Sequence, residues 1–167
     1  MAAAAIAAGA LKKVALELGG KNPQIVFPDC DWEAALDAAG SFMQPTVLSG
    51  VTREMSVARE EIFGPMLPVL TFATFDEAIA IANETLYGLS AAVWSRDFDT
   101  CIAAARHIKA GTIWINSFMD GYPELPFGGH RESGIGRELR PAALEDYMQT
   151  KTVQMHVGAR TNWWLPG

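Results

Sequence analysis

The chain has 167 residues, of which half are hydrophobic and 19% are charged, so it can bury one globular core and is not a disordered polypeptide. A formal net charge of −6 and a pI near 5.0 argue against a nucleic-acid partner, because proteins that bind nucleic acids carry clustered lysine and arginine. No apolar run approaches the length of a membrane span.

The alanine-rich residues 1–13 predict a helix and not a secretory signal. Alanine is the strongest helix former. Lys12 and Lys13 follow the apolar residues, whereas a signal peptide carries its positive charge first. The two cysteines, Cys30 and Cys101, are far apart and lack metal-binding spacing. This cysteine usage favours a reduced, cytoplasmic protein.

Strand and helix signals alternate along the first half of the chain. A short apolar run at 14–18 ends at two glycines, and residues 25–27 predict another short strand. Asp31 is suited to the N-cap of a helix that ends at Gly40. The apolar residues of that helix recur at helical spacing and are Trp32, Ala35, Leu36 and Ala39.

The central part of the sequence predicts a strand, a helix and a second strand. The first strand covers residues 69–72. A capping box from Thr74 to Glu77 then begins a helix that buries Ile79, Ile81 and Ala82. The second strand covers residues 91–94.

A second amphipathic helix begins at Asp97, another N-cap residue, and Gly111 closes it. Its predicted apolar face consists of Phe98, Cys101, Ile102, Ala105 and Ile108.

The last part of the chain predicts a strand at 112–115 and a helix whose first turn contains Pro141. This last helix would carry Leu144, Tyr147 and Met148. Residues 152–157 alternate polar and apolar side chains, as a strand with one solvated face does.

Strands that alternate with helices predict an α/β fold with a mainly parallel sheet. The core strands are near-continuous apolar runs, which favours helices on both faces of the sheet. The alternating segment 152–157 differs from them. We therefore expect it at a sheet edge, or as an arm that adds to the sheet of another chain.

Four segments resemble the NAD(P)-dependent aldehyde dehydrogenase family, in that family's order. They are LELGGKNP at 16–23, AREEIFGP at 58–65, GTIWIN at 111–116 and PFGGHRESGIGRE at 126–138. The connecting stretches QPTVL, YGLSAAVWSRD and KTVQMHV also resemble the family. The resemblance implies part of the family's catalytic domain over residues 1–151. It implies an oligomerisation strand and tail over 152–167.

By this resemblance, Glu17 is the catalytic general base, which activates water to release the acyl group. Glu61 and Phe63 hold the nicotinamide ribose of NAD or NADP, since a carboxylate accepts hydrogen bonds from ribose hydroxyls and an aromatic ring walls the coenzyme. Phe127 lines the aldehyde tunnel. The partners it implies are a small aldehyde and either copies of this chain or a full-length dehydrogenase subunit.

Structural explanations exist for the same residues. In the structural alternative, Glu17 beside two glycines is a solvated strand end, and Glu60 and Glu61 are a pair of solvated surface residues. Phe63 and Phe127 are ordinary core aromatics. The glycines of 128–136 serve tight turns, and their spacing does not match a phosphate loop. The three histidines show no metal spacing, so no metal site is predicted; they are His107, His130 and His156.

The family's nucleophilic cysteine is expected a few dozen residues after ELGGK, beyond a helix such as that at 31–40. Here that helix passes directly into SFMQPTVL, which the family places much further on. We therefore expect an internal deletion near residues 40–41, in addition to the absence of the family's N-terminal part. Cys101 lies on an apolar helix face, and Cys30 is flanked by two aspartates that disfavour a thiolate.

Three hypotheses follow from the sequence. The chain is a truncated dehydrogenase that other chains complete, an interaction protein that keeps the family's subunit contacts, or a remnant without a selected role. The interaction hypothesis draws on 152–157 and on Trp163 and Trp164, because tryptophan is enriched in interfaces.

Overall fold

The computed structural model describes residues 14–31 and 46–158. Three sequence predictions therefore lie outside the described residues: the helix of 1–13, most of the helix predicted at 31–40 with the junction at 40–41, and the tryptophans of the tail.

The described residues form nine strands, three α-helices and two 3₁₀-helices. The strands are β1 (Leu16–Glu17), β2 (Gln24–Val26), β3 (Thr46–Leu48), β4 (Met66–Pro68), β5 (Ser90–Trp94), β6 (Thr112–Ile115), β7 (Pro126–Phe127), β8 (Gly134–Ile135) and β9 (Glu138–Leu139). The α-helices are α1 (Ser56–Arg59), α2 (Phe75–Asn83) and α3 (Phe98–His107), and the 3₁₀-helices are Arg131–Ser133 and Pro141–Tyr147.

The core is built on a parallel sheet of three strands in the order β2-β5-β6. β5 is the central strand, and all five of its residues are buried. Its sequence, SAAVW, is a near-continuous apolar run, which is typical of a parallel strand covered on both faces. The α/β class with a parallel sheet is thus confirmed, as are the strands predicted at 25–27, 91–94 and 112–115, each within a residue or two.

The two faces of this sheet are covered differently. Ala91 and Val93 face a cluster that both longer helices complete. Ala92 and Trp94 face the opposite way and pack with Cys30, Trp114 and Phe118. Within the described residues both α2 and α3 therefore lie on one face, while loop residues cover the other.

The predicted N-caps begin both longer helices. The Thr74 hydroxyl accepts a hydrogen bond from the Glu77 amide at 3.2 Å, and the Glu77 carboxylate accepts from the Ala73 amide at 2.7 Å. The Asp97 carboxylate accepts from the Thr100 amide at 3.1 Å. These bonds satisfy amides that the first turn of a helix leaves without partners.

Several predicted details were wrong. The strand predicted at 69–72 lies instead at Met66–Pro68, where the chain pairs with β3. The bond from the Val69 amide to Leu48 O is the last one of this pairing. Phe98 is exposed, and the buried face of α3 consists of Cys101 and Ala104 with Ile108 beyond its end. Gly111 does not cap that helix. Its amide instead donates to Gly88 O and Leu89 O.

The C-terminal predictions also changed. The helix at Pro141 is a 3₁₀-helix, and Leu144, Tyr147 and Met148 are exposed. Residues 152–157 form no strand within this single chain, and Val153, Met155 and Val157 are exposed. A strand needs a neighbour for its ladder, and no ladder forms between this segment and the other described residues.

Ser133 joins three parts of the fold. Its side chain is fully buried, donates to Gly19 O at 2.7 Å and accepts from the Gly88 amide at 3.0 Å. Its carbonyl accepts from the Leu18 amide at 3.1 Å. The residues after β1 are thereby fixed to the turn before β5.

We expect Ser133→Ala to lower the free energy of unfolding by about 2 kcal/mol, because the buried Gly88 amide and the half-buried Gly19 carbonyl lose their partner. Urea denaturation followed by circular dichroism measures this change. The matched control is Ser49→Ala, at an exposed position, which should change stability by less than about 0.5 kcal/mol. Equal stabilities for the two variants would contradict the role given to Ser133.

Candidate functional site

Glu17 is held at the end of β1 by an antiparallel pairing with β8. Leu16 pairs with Ile135 and Glu17 with Gly134. Gly134 has φ 130° and lies so close to the Leu16 carbonyl that a side-chain carbon would collide with it. The glycine is therefore required for the two segments to pair. Two of the sequence motifs, LELGG and ESGIG, thus meet at this point.

Glu17 and Phe127 line one shallow depression, too small to hold a water molecule by itself, although they are far apart in the sequence. Phe127 lies in β7, opposite Glu138 of β9. The full lining is Ala15, Leu16, Glu17, Phe127, Gly128, Ile135, Gly136 and Glu138. The structure therefore brings together the predicted general base and the predicted substrate-lining residue.

The environment of Glu17 raises the pKa of its carboxyl group. Partial desolvation is the larger cause, and the negative charge of Glu138 is the second. Both disfavour the ionised form. A general base is most effective when its pKa lies near the working pH, so the shift has the direction that proton abstraction requires.

Glu61 reaches the same loop from the other side. Its Oε1 accepts a hydrogen bond from the Gly20 amide at 3.3 Å, and its carboxylate lies where a side chain on Gly19 would collide with it. The neighbouring Glu60 carbonyl accepts from Lys21 Nζ at 3.2 Å. The motif EEIFGP is therefore attached to the motif LELGGK through Glu61 and Lys21.

Phe63 is not brought to this site, because its side chain is 99% exposed. The exposed Glu61 carboxylate keeps lone pairs that suit the hydroxyls of a ribose. A carboxylate of this kind is one of the groups that can bind the ribose of a nicotinamide dinucleotide, which would supply the hydride acceptor.

The two thiols lie away from this site and are not activated. Both are buried. Burial raises the pKa of the Cys30 thiol, and the charges of Asp29 and Asp31 raise it further. Burial, Asp29 and Asp97 raise the pKa of the Cys101 thiol, whose Sγ donates to Ser95 O at 3.6 Å. Nucleophilic cysteines need the opposite environment.

Metal ligation has no support in residues 14–31 and 46–158. No group of three or more histidine, cysteine, aspartate or glutamate side chains there could hold an ion. In the same ranges, no helix has the length and apolar character to cross a bilayer.

Sequence reasoning missed two residues that shape the site, Ser133 and Glu138, and one, Asn116, that fixes the end of β6. Ser133 and Glu138 lie in the 126–138 motif, but their contacts with Gly19 and Glu17 span more than a hundred positions, so the motif alone does not reveal their roles. Asn116 has φ 52° and exchanges two hydrogen bonds with Ser95, at 3.0 and 2.8 Å. An asparagine directly after a strand tolerates this backbone conformation, and that signal could have identified it.

Comparison of the sequence with known proteins gives matches along most of the chain. The sequence profile described as "Aldehyde dehydrogenase family" matches two stretches, residues 1–41 and 37–153. An aldehyde dehydrogenase of Alternaria alternata is 49% identical over 119 residues, which cover 71% of this chain and 24% of that protein. The betaine aldehyde dehydrogenase of Bacillus subtilis is 40% identical over 149 residues, which cover 89% of this chain and 29% of that protein.

The fold agrees with the sequence matches. A crystal structure of an NAD-dependent aldehyde dehydrogenase from Sinorhizobium meliloti has a TM-score of 0.85 and 35% identity to this chain, covering 97% of it and 50% of the crystallised protein. The chain spans about a quarter of the Alternaria alternata relative and half of the solved structure. Since the profile matches almost the whole chain, the chain belongs to the aldehyde dehydrogenase family.

Proposed function

We propose that this chain provides the acyl-releasing part of an NAD(P)-dependent aldehyde dehydrogenase, with Glu17 as general base, while a second polypeptide provides the nucleophilic thiol. The single observation that carries the proposal is the depression shared by Glu17 and Phe127, in a chain whose own two thiols are buried. The two-part profile match supports an internal deletion between β2 and β3.

The division of roles follows from the chemistry. In this family, attack of a thiolate on the carbonyl carbon gives a thiohemiacetal. Its hydride would pass to NAD or NADP held in the site, and the acyl thioester that remains is then hydrolysed. A carboxylate that accepts a proton from water serves the hydrolysis only. Glu61 and Phe63 are proposed to hold the ribose of NAD or NADP, and Phe127 to contact the aldehyde. Free, buried cysteines suit a cytoplasmic location.

The purified chain should not oxidise simple aldehydes with NAD or NADP, because neither Cys30 nor Cys101 is activated. Absorbance of the reduced coenzyme measures this. Cys30→Ser and Cys101→Ser should leave the absence of turnover unchanged. Turnover in the native chain that disappears in Cys30→Ser would show that this thiol has taken over the nucleophilic role, and would overturn the proposal.

Completion in trans tests the positive part of the proposal. We expect thiol-dependent turnover when the chain is mixed with the part of the Bacillus subtilis betaine aldehyde dehydrogenase that it does not match. Glu17→Gln should lower that turnover about a hundredfold or more, as loss of a general base does. Glu54→Gln is the control, since Glu54 is not among the groups that shift Glu17. Full activity of Glu17→Gln would remove it from catalysis.

The carboxyl group of Glu17 should titrate above an ordinary glutamate, which ¹³C NMR can follow directly. Glu138→Gln should lower this pKa part of the way, because it removes the repulsion and leaves the desolvation. Glu54→Gln should leave it unchanged. Since the folded-state pKa is raised, ionisation of Glu17 opposes folding, so its contribution to stability falls as pH rises through that pKa. An unshifted titration would contradict the described environment.

A second candidate function is subunit association without catalysis. The observation that favours it is the row of exposed apolar side chains near the C-terminus: Tyr147, Val153, Met155 and Val157. Exposed apolar surface of this kind marks an interface or an aggregation risk. The alternation in 152–157 suits a strand that pairs with another copy of the chain or with a full-length dehydrogenase subunit.

Sedimentation velocity of the intact chain at micromolar concentration should therefore show a dimer or larger species. Deleting residues 152–167 should convert it to monomer, because the pairing strand is lost. The control variant changes Thr152 to Ala, at an exposed polar position of the same segment, and should keep the larger species. A single monomer peak for the intact chain would exclude association through this segment.

A further inference from the structure

A cavity of about 290 Å³ lies between two separate parallel sheets. One wall is formed by Gln24 and Ile25 of β2, the outer strand of the central sheet. Another is formed by Met66, Leu67 and Pro68 of β4. Ala78, Ile81 and Ala82 of α2 also line it. The cavity is distinct from the depression that contains Glu17 and Phe127.

The β2 edge that faces away from β5 offers backbone hydrogen-bonding groups. Pro23 O accepts from the Ala92 amide, and the Phe27 amide donates to Trp94 O, both at 3.0 Å. In a parallel ladder alternate residues bond to opposite sides. The amide and carbonyl groups of Gln24 and Val26 therefore point away from β5. No pairing of this edge occurs among the described residues.

The chain after β4 presents a second edge to the same cavity. Pro65 O and the Val69 amide bond to β3, both at 2.9 Å. By the same alternation, the carbonyls of Met66 and Pro68 point to the other side, and the chain then continues beyond the ladder through Leu70 and Phe72. Leu70 and Phe72 line the cavity, and their stretch, VLTF, has strand-type sequence but forms no strand with the described residues. A strand inserted in the cavity would give this stretch such a neighbour.

The charges around the cavity favour an acidic occupant. Lys21, Arg53 and Arg59 line it, with Glu84 as the acidic residue of the lining. Arg53 Nε lies 2.6 Å and Arg59 Nη2 3.8 Å from the Glu84 carboxylate. The remaining lining is mostly apolar. An apolar segment with a carboxylate at one end complements this surface in both respects.

The position of the cavity also fits the sequence comparison. The two stretches of the profile match meet at residues 37–41, which lie between β2 and β3 in the chain. β2 and the β3–β4 sheet are the two structures that the cavity separates. The break in the profile match and the cavity therefore lie between the same elements, β2 on one side and the β3–β4 sheet on the other.

We propose that the cavity receives a β-strand from a second polypeptide, namely an extended apolar segment that carries an acidic residue at one end. The strand pairs with β2, extends β4 through Phe72 and joins the two parallel sheets into one. This inference rests on the proposed function, in which a second polypeptide completes the catalytic domain.

The probe is a set of overlapping synthetic peptides that covers the whole Bacillus subtilis betaine aldehyde dehydrogenase. Fluorescence anisotropy with the intact chain identifies those that bind. We expect a binder from the part of that enzyme outside the 29% of its length that aligns with this chain. The bound peptide should slow amide exchange roughly tenfold or more at the backbone positions with which the inserted strand is proposed to pair. These positions are Gln24, Val26, Leu70 and Phe72.

Charge reversal provides the matched control. Lys21→Glu should weaken the acidic peptide roughly tenfold, and replacing the peptide's acidic residue with lysine should restore binding to that variant. A variant that had merely lost its fold would bind neither peptide. Lys109→Glu reverses an exposed lysine outside the cavity lining and should bind the original peptide normally.

Several results would overturn the proposal. These are the absence of any binding peptide, a binder that protects other amides, or exchange at Gln24 and Val26 in the free chain that is already as slow as in β5. The last would mean that another part of this chain occupies the edge. Peptide binding with the expected protection but no turnover on completion would instead retain the strand site and refute the catalytic proposal.

Discussion

The candidate site depends on the buried hydroxyl of Ser133. This group bonds at once to Gly19 O and to the Gly88 amide, so it connects the loop after Glu17 to the turn that leads into the central strand. A second bond, from the Leu18 amide to Ser133 O, fixes the same loop. Because the β1–β8 pairing has only two residue pairs, it cannot hold Glu17 alone. The position of Glu17, the proposed general base, is thus set by a residue 114 positions away from Gly19.

The strands and helices that could be predicted from sequence are those whose signals are local. β5 and β6 are apolar runs, and α2 and α3 begin at side chains that satisfy their own first amides. Predictions failed where a neighbour decides the outcome. Residues 69–72 have strand-type sequence, but the ladder ends at Pro68. Among the described residues nothing covers Leu144 and Met148 of the Pro141 segment, which forms a 3₁₀-helix. The two failures differ in cause, because Phe72 of the first segment packs against Phe27 and the core, and only the backbone ladder is missing there.

The predicted site residues divide in the same way. Glu17, Glu61 and Phe127 were identified from motifs, and the structure places the first and third at one depression and the second on the adjoining loop. Glu138 was not identified, because its effect on Glu17 arises only when the fold brings β9 and β1 to the same depression. Phe63 came from a motif and is nevertheless exposed. A motif identifies the chemistry that a residue can provide, whereas the burial of that residue depends on which other side chains pack against it.

The position of Asp29 explains why Cys30 cannot easily become a nucleophile. Asp29 raises the pKa of the Cys30 thiol, so its removal would seem to favour a thiolate. The same carboxylate, however, accepts from the Ser95 hydroxyl at 3.1 Å and from the Arg96 amide at 2.8 Å. Those bonds anchor the turn between β5 and α3. Removing Asp29 would leave burial, the larger cause of the shift, in place and would leave the buried Ser95 hydroxyl without this acceptor. Thiol activation and stability of this turn therefore oppose each other, which favours a nucleophile supplied from elsewhere.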